Sequence, residues 1–230
     1  VAEQIVNYIK YKIGYKNMKD LIILTSHLDD FELGCVGFII KHSKEYNNIF
    51  LYVATNNDYK EPITLSNLDK VNKYISKDIK YLNFNYDATK LKTQFDKLKD
   101  DFYQLINFDS SFDLLTHDDK DLHSDHIACS DMARGLFKYC ESYITLHSPS
   151  CLNFSPNYFI PLSEDDFSLK VDLISQYDIQ KDHSYSKIGY YLSDEYLNIG
   201  KSYVMENYVR LYMQKHKYFD IYNLKKWSHE

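Results

Sequence analysis

A chain of 230 residues is long enough to bury the core of one large α/β domain, and residues 1–230 read as a single domain. Apolar residues at 44% and charged residues at 26% are ordinary for a soluble globular protein. The net charge of -6 argues against nucleic acid as a partner, because phosphate neutralisation needs clustered Lys and Arg. No apolar run reaches the roughly 18 residues of a membrane span. Cys35, Cys129, Cys140 and Cys151 form no CxxC pair, which argues against a thiolate zinc site. With no signal-peptide pattern, they read as buried free thiols in a reducing, cytoplasmic compartment.

The chain alternates helix and strand. Residues 1–13 read as an amphipathic helix, and Leu21–Ser26 (LIILTS) as a buried strand. Leu33–Tyr46 follows at helical period, then the buried strand Ile49–Thr55. Ile79–Phe84 is a third, shorter strand, and Lys90–Ile106 a helix with Leu91, Phe95, Leu98, Phe102 and Leu105 at apolar positions. Phe112–Thr116 is a strand, Asp125–Tyr139 a helix and Ser142–Leu146 a strand. Beyond Pro149, Tyr158–Leu162 reads as a strand, and Ser168–Tyr177 and Tyr191–His216 as helices on the same sheet. This order predicts an α/β fold, a Rossmann-like, mostly parallel sheet with helices on both faces. Ligands in such sheets bind beyond the carboxyl ends of the strands. Two polar segments, 25–32 and 116–126, leave strand ends there.

The first segment, TSHLDDFELGCVG, offers the imidazole of His27 and the carboxylates of Asp29 and Asp30 within four positions. Adjacent carboxylates repel unless a cation neutralises them, and zinc suits His plus carboxylate. The competing reading is a capped helix start, with Asp29 or Asp30 as N-cap and Glu32 in the first turn. The second segment, THDDKDLHSDHIACSDMARG, brings His117, His123, Asp125 and His126 into one loop. There, His126 is placed to ligate a metal, His123 to face substrate, and Asp125 to fix an imidazole tautomer. Together the clusters supply two His and one Asp as ligands. They also leave a coordination position for water and spare groups for proton transfer.

Both segments resemble the zinc de-N-acetylases known as the LmbE-like or PIG-L family. Its first motif, HPDDxExGxGG, corresponds to His27-Leu28-Asp29-Asp30-Phe31-Glu32-Leu33-Gly34-Cys35-Val36-Gly37, and its second, DxHPDH, to Asp121-Leu122-His123-Ser124-Asp125-His126. The resemblance extends over roughly residues 20–215, through Ser175-Gln176 and MENYVRL at 205–211. It implies one Zn2+ held by His27, Asp30 and His126. It makes Asp29 the general base, His123 the group facing the carbonyl and leaving group, and Asp125 the residue that orients His123. The implied activity is hydrolysis of an N-acetyl group from an amino sugar or sugar conjugate.

This chain departs from the pattern in places. Leu28 and Ser124 stand where the family carries Pro, which loosens both loops. Asn56–Asn67 lacks the Gly-rich turn and the Arg that commonly touch substrate, so the substrate does not carry over. Alternative readings are a zinc amidohydrolase for another N-acylated small molecule and a non-catalytic carbohydrate-binding descendant. A nucleotide-binding Rossmann domain is disfavoured, since no GxGxxG follows the first strand.

Overall fold

A computed structural model describes residues 18–151, 154–179 and 218–226. The helices expected at 1–13 and Tyr191–His216 and the MENYVRL segment lie outside the described residues. Seven strands form one sheet: β1 (Lys19–Thr25), β2 (Tyr46–Thr55), β3 (Ile79–Tyr86), β4 (Phe112–His117), β5 (Tyr143–Leu146), β6 (Tyr158–Leu162) and β7 (Tyr218–Lys226). Their order is β3-β2-β1-β4-β5-β7-β6. β1 to β5 pair in parallel, while β7 lies antiparallel between β5 and β6. Among the described residues the α-helices are α1 (Val36–His42), α2 (Glu61–Ile75), α3 (Phe95–Tyr103), α4 (Ser124–Arg134) and α5 (Glu164–Ser175). This is the Rossmann-like, mostly parallel α/β fold expected from the alternation.

Strand residues alternate between two apolar layers. Leu21 and Ile23 of β1, with Leu51 and Val53 of β2, join the core under α1, α2 and α5. Ile22 and Leu24, with Tyr52 and Ala54, join the core under α3 and α4. Burial on both faces is why these strands read as continuous apolar runs. Register places Ile22 opposite Phe50 on one side and Leu114 on the other. β1 is therefore flanked by β2 and β4, and the crossovers leave it in opposite directions. Sheets of this kind take ligands in the crevice at such a switch point, here beyond the carboxyl ends of β1 and β4.

Several elements differ from the sequence reading. The expected helix Leu33–Tyr46 is shorter: a π-helical turn, Phe31–Cys35, precedes α1, and Tyr46 already belongs to β2. Just past that turn, in the first turn of α1, the Phe38 amide donates to the Tyr222 hydroxyl, 3.0 Å away. The helix α2 falls where no helix was read. Its buried Thr64, Leu68, Val71 and Ile75 keep helical spacing, but polar residues outnumber them and Pro62 lies at its start. It ends at Ser76 in the left-handed region, φ 55°. β7 also went unread, because it places Asp220 inside the sheet, buried against Lys170 at 2.5 Å. α5 begins earlier than expected, at a capping box of Ser163 and Asp166.

Candidate metal centre

β1 ends at Thr25 and delivers His27, Asp29 and Asp30 to the crevice. β4 ends at His117, and the following loop delivers Asp121, His123 and the first turn of α4. The two segments meet across a sequence separation of 99 residues, with His27 Nδ1 3.1 Å from His126 Nε2. Asp30 completes the group: Oδ2 lies 3.4 Å from His27 Nδ1, and Oδ1 3.4 Å from His126 Nε2. His117 stacks on His126 with ring centroids 3.9 Å apart and places Nε2 3.3 Å from Asp30.

The capping alternative is not what Asp30 does. Its carboxylate makes no N-cap bond and instead accepts the His27 amide at 2.7 Å, which turns it inward. Glu32 is fully buried, with Oε1 accepting from Asn67 Nδ2 at 2.8 Å and from the Tyr177 hydroxyl at 2.9 Å. Burial pushes its carboxyl up to about 8.

Each candidate histidine ligand is backed by a carboxylate on its far nitrogen. Asp121 Oδ2 lies 2.8 Å from His126 Nδ1, and Asp125 Oδ2 lies 3.3 Å from His27 Nε2. That arrangement aims His126 Nε2 and His27 Nδ1 at the same point as Asp30, and loss of the proton there would give each ring the lone pair that carboxylate–histidine–metal groupings require. Asp121 is itself fixed by the hydroxyls of Ser148 and Ser150 and by the His123 amide, 2.9 Å away. Asp125 accepts the amides of Thr89 and Leu91, the latter at 3.3 Å.

The electrostatics follow from this surplus of carboxylates. Burial opposes charge on both imidazoles, but carboxylate contacts outweigh it: His27 rises to about 9 beside Asp125 and Asp30, and His126 to about 10 beside Asp30 and Asp121. Burial would raise Asp30, yet the neighbouring His126 and His117 hold it well below the usual carboxylate range. His117 runs the other way, pushed down to about 4 by burial and the charge of His126. Its Nε2 accepts the Ser26 amide at 3.0 Å, so the neutral ring carries its proton on Nδ1. A divalent cation fits this donor set. It would replace protons on two imidazoles already aimed at a shared point and neutralise the buried carboxylate.

His123 is the N-cap of α4, its Nδ1 accepting the Asp125 amide at 3.3 Å. Its ring stands edge-on to His27 at 4.7 Å. Burial and the charges of His126 and His27 lower its pKa, favouring a neutral ring with the proton on Nε2. Asp125 was expected to orient His123; its carboxylate contacts instead reach His27 and the 89–91 loop. Asp29 places Oδ2 2.7 Å from Lys60 Nζ.

No protein-family model and no curated protein matches the chain. Solved structures do. N,N'-diacetylchitobiose deacetylase from Pyrococcus horikoshii superposes with a TM-score of 0.60 at 14% identity, over 97% of this chain and 92% of that one. The two chains share a fold. Teicoplanin deacetylase Orf2 gives 0.56 at 13% identity, over 88% of this chain and 96% of that one. The 4-carboxy-2-hydroxymuconate hydratase GalB from Pseudomonas putida KT2440 gives 0.62 at 11% identity, over 93% and 98%.

All the site residues expected from sequence lie in or beside this crevice. His117, Asp121 and Lys60 received no role in the sequence reading. His117 and Asp121 were visible as His and Asp in the second motif segment. Lys60 carried no signal, because its contact to Asp29 spans 31 residues.

Proposed function

We propose that this chain is a metal-dependent amide hydrolase that removes the N-acetyl group of an amino sugar or sugar conjugate. The convergence of His27, Asp30 and His126 at the switch point, each imidazole backed by its own carboxylate, carries the reading. A bound Zn2+ would acidify a water and polarise the acetamide carbonyl. Asp29, adjacent to Asp30 but outside the ligand group, takes the proton as the water oxygen attacks the carbonyl carbon. His123 Nε2–H stabilises the charge developing on the carbonyl oxygen. As the C–N bond breaks, the nitrogen needs a proton. With His123 held neutral, Asp29 returns the one it took, giving acetate and a free amine. Asp125 and Asp121 hold His27 and His126 in the ligating tautomers. The deacetylases among the structural neighbours support the sugar-conjugate class.

GalB shows that the same fold also houses a hydratase. One experiment separates the readings: the chain is stripped with a chelator, reloaded with Zn2+, and given a panel of N-acetylglucosamine conjugates. Equal release of acetate and primary amine, lost on chelation and restored by zinc, is the expected result. Stoichiometric zinc binding with no acetate from any acetamide overturns the assignment.

A further inference from the structure

Asp30 makes no side-chain cap for the helical turn it begins. The first-motif segment is also held from outside, by one face of α2. Lys60, the residue before α2, and Thr64 and Asn67 within it follow one another at spacings of four and three, so they share a face. Each reaches a different point of residues 28–32. Lys60 Nζ meets Asp29 Oδ2 at 2.7 Å, Thr64 Oγ1 lies 3.4 Å from the Leu28 carbonyl, and Asn67 Nδ2 donates to Glu32 at 2.8 Å. Tyr177, beyond α5, ties the same points together. Its hydroxyl donates to Glu32 and accepts from Thr64, at 2.9 Å each, and lies 3.4 Å from the Leu28 carbonyl; its ring lies 5.9 Å from Lys60 Nζ. Asp29 and Lys60 are both largely covered, with side-chain exposures of 9% and 18%. The ammonium therefore has little freedom to leave.

We propose that this face of α2, with Tyr177, is the positioning device of the first-motif segment, and that Lys60 is a positioning residue that sets the direction of the Asp29 carboxylate. The base of the hydrolysis proposed above is thereby aimed by a residue from another element. Lys60 here aims the base and does not hold substrate. The inference rests on the hydrolase reading for its kinetic consequence, but its geometric content stands apart from it.

Lys60→Met keeps the aliphatic stem and removes the charge; Lys60→Arg restores a cation. In the zinc-loaded protein, kcat of Lys60→Met should fall about 10- to 100-fold, the cost of a misaimed group. KM, zinc content and melting temperature should stay near wild type, and Lys60→Arg should recover most of kcat. Amide hydrogen exchange over residues 28–33 should speed up in Lys60→Met and return in Lys60→Arg. A raised KM with unchanged kcat makes Lys60 a substrate contact and overturns the proposal, as does unchanged exchange with unchanged kcat. If wild type itself releases no amine, the hydrolase reading fails, and the exchange measurement alone decides for or against the positioning role.

Discussion

The chemistry of the site rests on which nitrogen of each imidazole is free. His126 reaches the shared point with Nε2 because Asp121 occupies Nδ1, and His27 reaches it with Nδ1 because Asp125 lies on Nε2. Asp121→Ala leaves every proposed ligand in place and removes only that orientation. Its zinc affinity, from competition with a chromophoric chelator, should drop about 10- to 100-fold. His126→Ala removes a ligand outright, and elemental analysis of that variant should find little zinc. Asp29→Asn separates base from ligand: zinc content should stay at wild-type level while kcat falls about 100-fold or more. Loss of the metal from Asp29→Asn would show that Asp29 is a ligand. The pairing of Asp29 with Asp30 was plain in the sequence. What each carboxylate does was not, because that depends on Lys60 and the His27 amide, which reach them through folded geometry.

At the scale of elements, the strands were the most legible part. Runs such as LIIL and IFLYVA carry apolar residues at successive positions because both faces of the sheet are covered. β6 appears at Tyr158–Leu162 as read. Helices that serve the site were less legible. α2 is mostly polar because one side faces solvent and another carries Thr64 and Asn67, which with Lys60 just before the helix face the first-motif segment. β7 hides because Asp220 and Lys170 place a buried ion pair where period-two alternation demands an apolar residue. The same pair explains Gly37: a Cβ there would lie 1.9 Å from Asp220 Oδ2 and 2.8 Å from its Cγ. Asp220 and Lys170 are both buried, so Gly37→Ala must displace the ion pair. Chemical denaturation of that variant should show a loss of about 1–3 kcal/mol, the usual cost of overpacking. A stability equal to wild type would mean that the β7 junction yields freely.

Over the whole molecule, metal and fold are coupled. A ligand that binds only the folded state stabilises it by mass action, by about 2.7 kcal/mol at a concentration one hundred times Kd. For a chain of this size that corresponds to a rise of roughly 5–10 °C in Tm. The zinc-loaded protein should therefore melt higher than the chelated one, and His126→Ala should show no such difference. Among the described residues no helix is long and apolar enough to cross a membrane.

The sequence by itself determined the α/β class, the parallel strands and the identity of the candidate ligands. Those properties are written in local pattern: apolar runs, helical spacing, and His and Asp packed into short segments at strand ends. Only the tertiary structure decided that His27 and His126 meet, that Asp125 serves His27, that His117 joins the group and that Lys60 holds Asp29. Each of these is a contact between residues tens of positions apart. It is fixed by strand order and register, which bring β1 and β4 side by side and α2 across the first motif, and no local pattern encodes those distances.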